Sequence, residues 1–120
     1  MSTRRRFSRI KCVEKSTVET GLGTFEVDLL EISLKGALVE HPADFPVGPG
    51  DDWKLSFRLN QSEIVLQFKA RVIYCRGNLA GVKFVEMDLD TMIHLRSLME
   101  ARTANPDQVR DELAFFAEGD

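Results

Sequence analysis

The chain has 120 residues, of which 43% are hydrophobic, a length and composition typical of one domain with a single core. Its 16 Lys and Arg residues and 19 Asp and Glu residues give a net charge of −3, so the molecule as a whole has no general attraction for nucleic-acid polymers or membrane surfaces. No apolar run approaches the ~20 residues of a membrane-spanning helix. The N-terminus is charged, whereas a signal segment has an apolar stretch there. These features predict one cytoplasmic domain over residues 1–120.

The N-terminal segment is basic. Residues 1–8 are polar and cationic, with Phe7 as the only large apolar side chain, and five cations lie within the first eleven residues: Arg4, Arg5, Arg6, Arg9 and Lys11. A segment of this composition buries too little apolar surface to fold by itself. On charge alone, a solvated tail explains it best. We predict a mobile arm over residues 1–11 that becomes ordered when a ligand docks on it.

Residues 12–87 have the period-two alternation of β-strands. The clearest strand places its apolar side chains on one face: Ile64, Leu66, Phe68, Ala70, Val72 and Tyr74. Turn-forming residues separate the strands at 21–23, 33–36, 42–52, 60–61 and 77–78. About six short antiparallel strands follow, so the fold is predicted to be mainly β, as a closed or nearly closed small barrel.

After Glu86 the apolar spacing becomes helical, which predicts a helix over 90–102 with Asp88 and Asp90 as candidate caps. Asn105 and Pro106 then have the residue types of a second helix start. That helix is expected to run to about residue 116, with a narrow apolar stripe that must be buried against the barrel, the first helix or another subunit. Residues 88–120 are therefore predicted to form two C-terminal helices.

Two short motifs suggest a binding function. The segment 5–9, RRFSR, holds Arg5 and Arg9 in an RxxxR arrangement, and the segment 31–36, EISLKG, holds Ser33 and Gly36 where a predicted strand ends. Together they resemble the signature of the PilZ family, an RxxxR arm followed by (D/N)xSxxG. Position 31 departs from that signature, because Glu31 stands where the family has Asp or Asn. The resemblance continues through residues 80–84 and into the predicted first helix.

PilZ domains are six-stranded barrels that bind the bacterial second messenger cyclic di-GMP, so the resemblance implies a receptor for this ligand. It places Arg5 and Arg9 on the phosphates and guanines, which a guanidinium can grip through paired hydrogen bonds and stacking. It also implies that Arg4 holds a second, stacked ligand molecule and that Glu31 accepts from the guanine N–H groups.

The turn after the second predicted strand supplies further residues of the binding site that the resemblance implies. Ser33 is expected to offer its hydroxyl to a phosphate or base, and Gly36 to supply a positive φ and a close backbone approach. From their position at the end of the long strand, Tyr74 is a candidate stacking platform and Arg76 a neighbouring ligand-binding cation. Tyr74 also continues the apolar face of its strand, so a place in the core or at its rim is an equal alternative.

Other functions have weaker support in the sequence. No combination of nucleophile, base and orienting residue predicts catalysis, no ligand spacing predicts a metal, and no cofactor is expected. His41 and His94 are predicted to be solvated, and Cys12 and Cys75 to be free thiols, with a disulfide as the alternative. Besides cyclic di-GMP, an unidentified protein partner is expected. The alternative function is an adaptor that has lost nucleotide binding and works only through protein contacts, and the departure at Glu31 favours it. A third possibility is a barrel that binds single-stranded nucleic acid, which the negative net charge disfavours.

Overall fold

The computed structural model describes residues 9–59 and 62–102. They form six strands and one helix: β1 (Arg9–Thr20), β2 (Gly23–Ser33), β3 (Gly36–Glu40), β4 (Asp52–Arg58), β5 (Val65–Arg76), β6 (Leu79–Met87) and α1 (Leu89–Arg102). The predicted helix over 90–102 is thus confirmed as α1. Residues 1–8 of the predicted arm and the predicted second helix lie outside the described residues. Because β1 begins at Arg9, residues 9–11, which charge alone assigned to the arm, belong to the barrel.

The strands form a closed antiparallel barrel, which confirms the predicted six-stranded architecture, and their order is β1-β2-β3-β6-β5-β4. Two joins close it. Strand β4 returns to pair with β1 through Ser16–Phe57 and Val18–Leu55, and β3 pairs with β6 from Gly36–Lys83 to Glu40–Leu79. Each strand therefore pairs with a neighbour on both of its sides.

Inward-facing side chains of all six strands fill the barrel. Phe68 of β5 lies in the middle, with its ring stacked on Phe84 at a centroid distance of 4.0 Å and near Phe57 at 6.2 Å. The side chains of Leu29, Leu55 and other aliphatic residues around these rings are fully buried. Burial of such apolar surface is the main favourable contribution to folding.

Helix α1 covers one end of the barrel. Asp88 caps it by accepting from the Thr91 amide at 2.8 Å, and the Thr91 hydroxyl accepts from the Gln67 amide of β5 at 3.2 Å. At the other end of the helix, Arg102 donates to the main-chain oxygen of Lys11 at 3.4 Å. The buried side chains between these contacts are Leu95, Leu98 and Met99. Over the described part of the chain, no helix has the length and apolar character needed to cross a membrane.

The loop between β3 and β4 corrects one sequence prediction. His41 was expected to be solvated, but only 5% of it is exposed. The loop folds back over the barrel so that the ring of Phe45 lies against Phe25 at 4.8 Å, Trp53 at 5.7 Å and His41 at 5.3 Å. The Nδ1 of His41 lies 2.8 Å from the Pro42 carbonyl, which can only accept and so places the proton on that nitrogen.

Both cysteines are free thiols, as predicted. Cys12 is buried in the core and Cys75 is half-buried. Burial raises the pKa of both thiols, because the thiolate is poorly solvated there. They therefore behave as small apolar side chains at neutral pH.

Two of the register shifts between paired strands are β-bulges that turn site residues outward. Between Leu29 and Glu31, β2 advances two residues while β3 advances one, so Leu30 is the extra residue and Ile32 points inward. In β5 the extra residue is Ile73, between Val72 and Tyr74. Tyr74 is consequently 46% exposed. The alternative prediction, that Tyr74 lies in the core of the barrel, is therefore wrong.

Gly36 lies where β3 meets β6. A β-carbon built on it would overlap the main-chain oxygen of Val82 and lie 3.3 Å from the carbonyl carbon of that residue. The positive-φ glycines among the described residues are Gly23, Gly50 and Gly77. The expectation of a positive φ at Gly36 is therefore wrong, and the requirement for glycine comes from the close approach of the two strands.

We expect Gly36→Ala to lower the free energy of unfolding by about 1–3 kcal/mol, because backbone must move to admit the methyl group. Gly21→Ala is the matched control, since a β-carbon there has no neighbour within 4 Å, and its effect should stay within about 0.5 kcal/mol. Urea unfolding followed by tryptophan fluorescence measures both. Equal stability of the two variants would contradict the assignment of Gly36 to a strand-packing role.

Candidate functional site

A pocket of about 270 Å³ lies on the outer surface of the barrel, where β1, β2, β3, β6 and the end of β5 meet. We call it the site pocket. Five residues singled out in the sequence line it: Arg9, Glu31, Ser33, Gly36 and Tyr74. Arg76 is exposed opposite Leu79 and does not line the pocket, and Arg4 and Arg5 lie outside the described residues. Residues far apart in sequence are thus brought to one place by the strand order.

Arg9 reaches the site pocket through the register of β1 and β2. It is the first residue of β1 and pairs with Ser33, the last residue of β2. Its side chain is exposed, and no described residue forms an ion pair or hydrogen bond with the guanidinium. The five N–H donors of Arg9 are consequently available to an anion or a purine.

The hydroxyl of Ser33 organises the turn between β2 and β3. It accepts from the amides of Lys35 at 3.1 Å and Gly36 at 3.2 Å, and it donates to the Gly36 carbonyl at 3.3 Å. Only 7% of Ser33 is exposed. The direct contact between this hydroxyl and a ligand stays a prediction, and in the structure the hydroxyl is bonded within the turn. Ser33 shapes the pocket wall that Gly36 continues.

Glu31 supplies a carboxylate to the same wall. The residue is half-buried, opposite Lys11 of β1 and Leu38 of β3. Over residues 9–59 and 62–102 nothing hydrogen-bonds to its side chain or forms an ion pair with it. A half-buried carboxylate without a partner is a strong acceptor for N–H donors. The bulge at Leu30 is what brings Glu31 to the outer surface.

The ring of Tyr74 lies against Gly81. A β-carbon on Gly81 would lie 2.7 Å from the Cζ atom of the ring, so any larger residue would displace it. Tyr74 and Gly81 pair across β5 and β6, and the neighbouring Ile73 is 52% exposed. Together, Ile73 and Tyr74 give the site pocket an apolar and aromatic side on which a flat ring could stack.

Two lysines that the sequence analysis did not select also line the site pocket. Lys35 lies within the turn after Ser33, and Lys83 pairs with Gly36 across β3 and β6. Lys35 lies within the segment 31–36, so that motif could have indicated it as a site residue. Lys83 had a weaker signal: in the alternating strand Leu79–Met87 it lies on the face opposite the buried Val82 and Phe84.

The arrangement is suited to binding and not to holding a metal. Three cationic groups, one carboxylate and one aromatic ring surround a floor of apolar side chains and main chain, an arrangement that complements an anionic aromatic ligand. In the part of the chain that the structure describes, no group of three or more His, Cys, Asp or Glu side chains is placed to hold a metal ion.

Comparison with known proteins relates this barrel to one family. The model of the PilZ domain matches residues 3–101. Similar solved structures include the inhibitor of motility MotI (DgrA) of Bacillus subtilis, with a TM-score of 0.70 and 16% identity over 94% of this chain and 53% of that one. This chain therefore spans about half the length of MotI.

Two further structures are comparable in length to this chain. The PilZ domain of YcgR from Escherichia coli, solved with c-di-GMP, has a TM-score of 0.67 and 16% identity, covering 98% of this chain and 100% of that one. The PilZ domain of CeSA from a cellulose-synthesizing bacterium has a TM-score of 0.62 and 18% identity over 78% of this chain and 96% of that one. At these identities the structures show a shared barrel, and the family match covers most of the sequence. The chain therefore belongs to the PilZ domain family.

Proposed function

We propose that this chain is a receptor for cyclic di-GMP that holds the dinucleotide between its N-terminal arm and the site pocket. The observation that supports this most directly is the convergence of Arg9, Glu31 and Tyr74 on one pocket of a PilZ barrel. Each of these side chains has a chemical counterpart in the ligand. The family includes a structure solved with this ligand, that of the YcgR domain.

The arginines provide the grip on the ligand. Cyclic di-GMP presents two phosphodiester anions and two guanines, and a guanidinium can bind phosphate oxygens or guanine O6 and N7 with paired hydrogen bonds. Arg9 stands at the pocket with its donors available. In the proposed complex Arg5 acts beside it from the arm, and Arg4 holds a second, stacked dinucleotide.

Glu31 and Tyr74 provide recognition of the base. A carboxylate accepts from the N1 and N2 donors of guanine, and the half-buried Glu31, which pairs with no described residue, supplies that carboxylate in the proposed complex. Glu is one methylene longer than the family's Asp, and the bulge at Leu30 turns it toward the outer surface. The exposed ring of Tyr74 offers a stacking surface worth about 1–3 kcal/mol per base.

The size of the site pocket indicates that the barrel alone takes only part of the ligand. Its volume of about 270 Å³ lies just below the range of small-molecule pockets, which is roughly 300–1,000 Å³. In the proposed complex the N-terminal arm contacts the remainder of the dinucleotide. Ordering of the arm on the ligand then changes the surface presented to a partner protein, and this change is the signal.

Isothermal titration calorimetry with cyclic di-GMP tests the proposal directly. We expect saturable binding by the full chain, with a stoichiometry that reports whether one or two ligand molecules bind. If neither wild type nor Glu31→Asp binds while both remain folded by circular dichroism, the receptor function is excluded. In that case a pull-down that is indifferent to added nucleotide would support the adaptor alternative.

Arg9→Ala should weaken cyclic di-GMP binding at least tenfold, because hydrogen bonds to charged groups typically contribute about 1.5–3 kcal/mol. The melting temperature should stay close to that of wild type, since the guanidinium is exposed and bonded to no described residue. Arg58→Ala removes an equally exposed arginine from β4 and serves as the control. Comparable affinities for the two variants would contradict the role of Arg9.

Glu31→Gln should weaken binding of cyclic di-GMP about tenfold and reduce the preference for it over cyclic di-AMP. The carboxylate accepts from two guanine donors but repels the N1 acceptor of adenine, whereas an amide presents one acceptor and one donor. Competition titrations with the two dinucleotides measure the preference. Glu26→Gln, at an exposed position on the same strand, should leave it unchanged, and an unchanged preference in Glu31→Gln would show that Glu31 does not contact the base.

A further inference from the structure

Lys83 occupies a particular place in the site pocket. It lies on β6 opposite Gly36, and Gly36 is packed against the carbonyl of Val82. The Phe84 amide of β6 also donates to the Lys35 carbonyl at 2.7 Å, so a main-chain hydrogen bond joins β6 to the turn before Gly36. The absence of a side chain at Gly36 leaves the surface between β3 and β6 open. Lys83 therefore stands beside the turn that Ser33 organises, on the wall opposite Arg9.

The charges around Lys83 leave its ammonium group available. Its cross-strand neighbour on β5 is Arg71, and the Nε of Arg71 is held by Asp52 of β4 at 2.9 Å. That ion pair directs the guanidinium of Arg71 away from the site pocket and neutralises it. Lys83 is exposed, and across the described ranges no residue forms an ion pair or hydrogen bond with it.

Arg9 and Lys83 thus flank the pocket from β1 and β6, with β2 and β3 between them. Three steps between neighbouring strands place their backbones about 14 Å apart along the curved sheet. Glu31 lies between these two cations and pairs with neither. A ligand with two anionic groups, such as the two phosphodiesters in the central ring of a cyclic dinucleotide, matches cations on two walls better than a ligand with one anion.

On this basis we infer that Lys83 is a ligand-binding residue of this chain that contacts a phosphodiester of the dinucleotide from the wall opposite Arg9. An ammonium group suits the role, because it is a compact charge with three rotatable donors and binds phosphate without requiring a fixed orientation. The inference rests on the proposed function and adds a second cationic wall to the site.

Titration of cyclic di-GMP into Lys83→Gln, Lys83→Arg and Lys69→Gln tests the inference. Lys69→Gln is the matched control, because Lys69 is an exposed lysine of the same barrel that is paired with Glu86 at 3.5 Å and lies outside the site pocket. It removes the same charge from the molecule. We expect Lys83→Gln to raise the dissociation constant about tenfold or more, and Lys83→Arg and Lys69→Gln to stay within about threefold of wild type.

The salt dependence provides a second readout that a purely structural role would not change. Affinity of wild type should fall with rising salt more steeply than affinity of Lys83→Gln, since the variant has lost a charge contact with the ligand. If wild type binds and Lys83→Gln matches it in affinity and salt dependence, the inference about Lys83 is wrong and the receptor function stands. If neither wild type nor Glu31→Asp binds while both remain folded, both are wrong.

Discussion

The close approach of Gly36 to the Val82 carbonyl joins β3 to β6, and the remaining features of the site depend on that join. Strands β1, β2 and β3 form one set of hairpins, and β4, β5 and β6 form the other. Where the two sets meet, Glu31 on one comes to face Tyr74 and Lys83 on the other. A side chain at position 36 would separate these walls. The absence of a β-carbon at position 36 therefore permits the close β3–β6 join that forms this side of the pocket.

The bulges explain how a stable barrel exposes polar and aromatic groups at a chosen place. Strict alternation after Leu29 would bury Glu31, where an unpaired carboxylate is costly. The extra residue at Leu30 moves Glu31 outward and still returns Ile32 to the core. The extra residue at Ile73 does the same for Tyr74. Bulges of this kind commonly redirect side chains next to binding sites.

Local charge, and not the total, governs what the site can bind. The chain carries a net charge of −3, which opposes long polyanions. In the site pocket, Arg9 and Lys83 form no ion pair with any described residue, whereas the nearby Arg71 is paired with Asp52. A small dianion can reach such a pocket without requiring a basic surface elsewhere. This pattern supports the proposal of a cyclic dinucleotide as ligand over nucleic-acid polymers.

The sequence alone determined the fold class, the extent of α1 and the family, because alternating apolar residues, turn residues and the two motifs are local patterns. It also identified Arg9, Glu31, Ser33 and Gly36 as members of one site. Only the tertiary structure decided that Tyr74 faces outward, that the Ser33 hydroxyl serves the turn and that Lys83 joins the site. These outcomes depend on bulge positions and strand register. Both arise from packing between strands distant in sequence, which no local pattern contains.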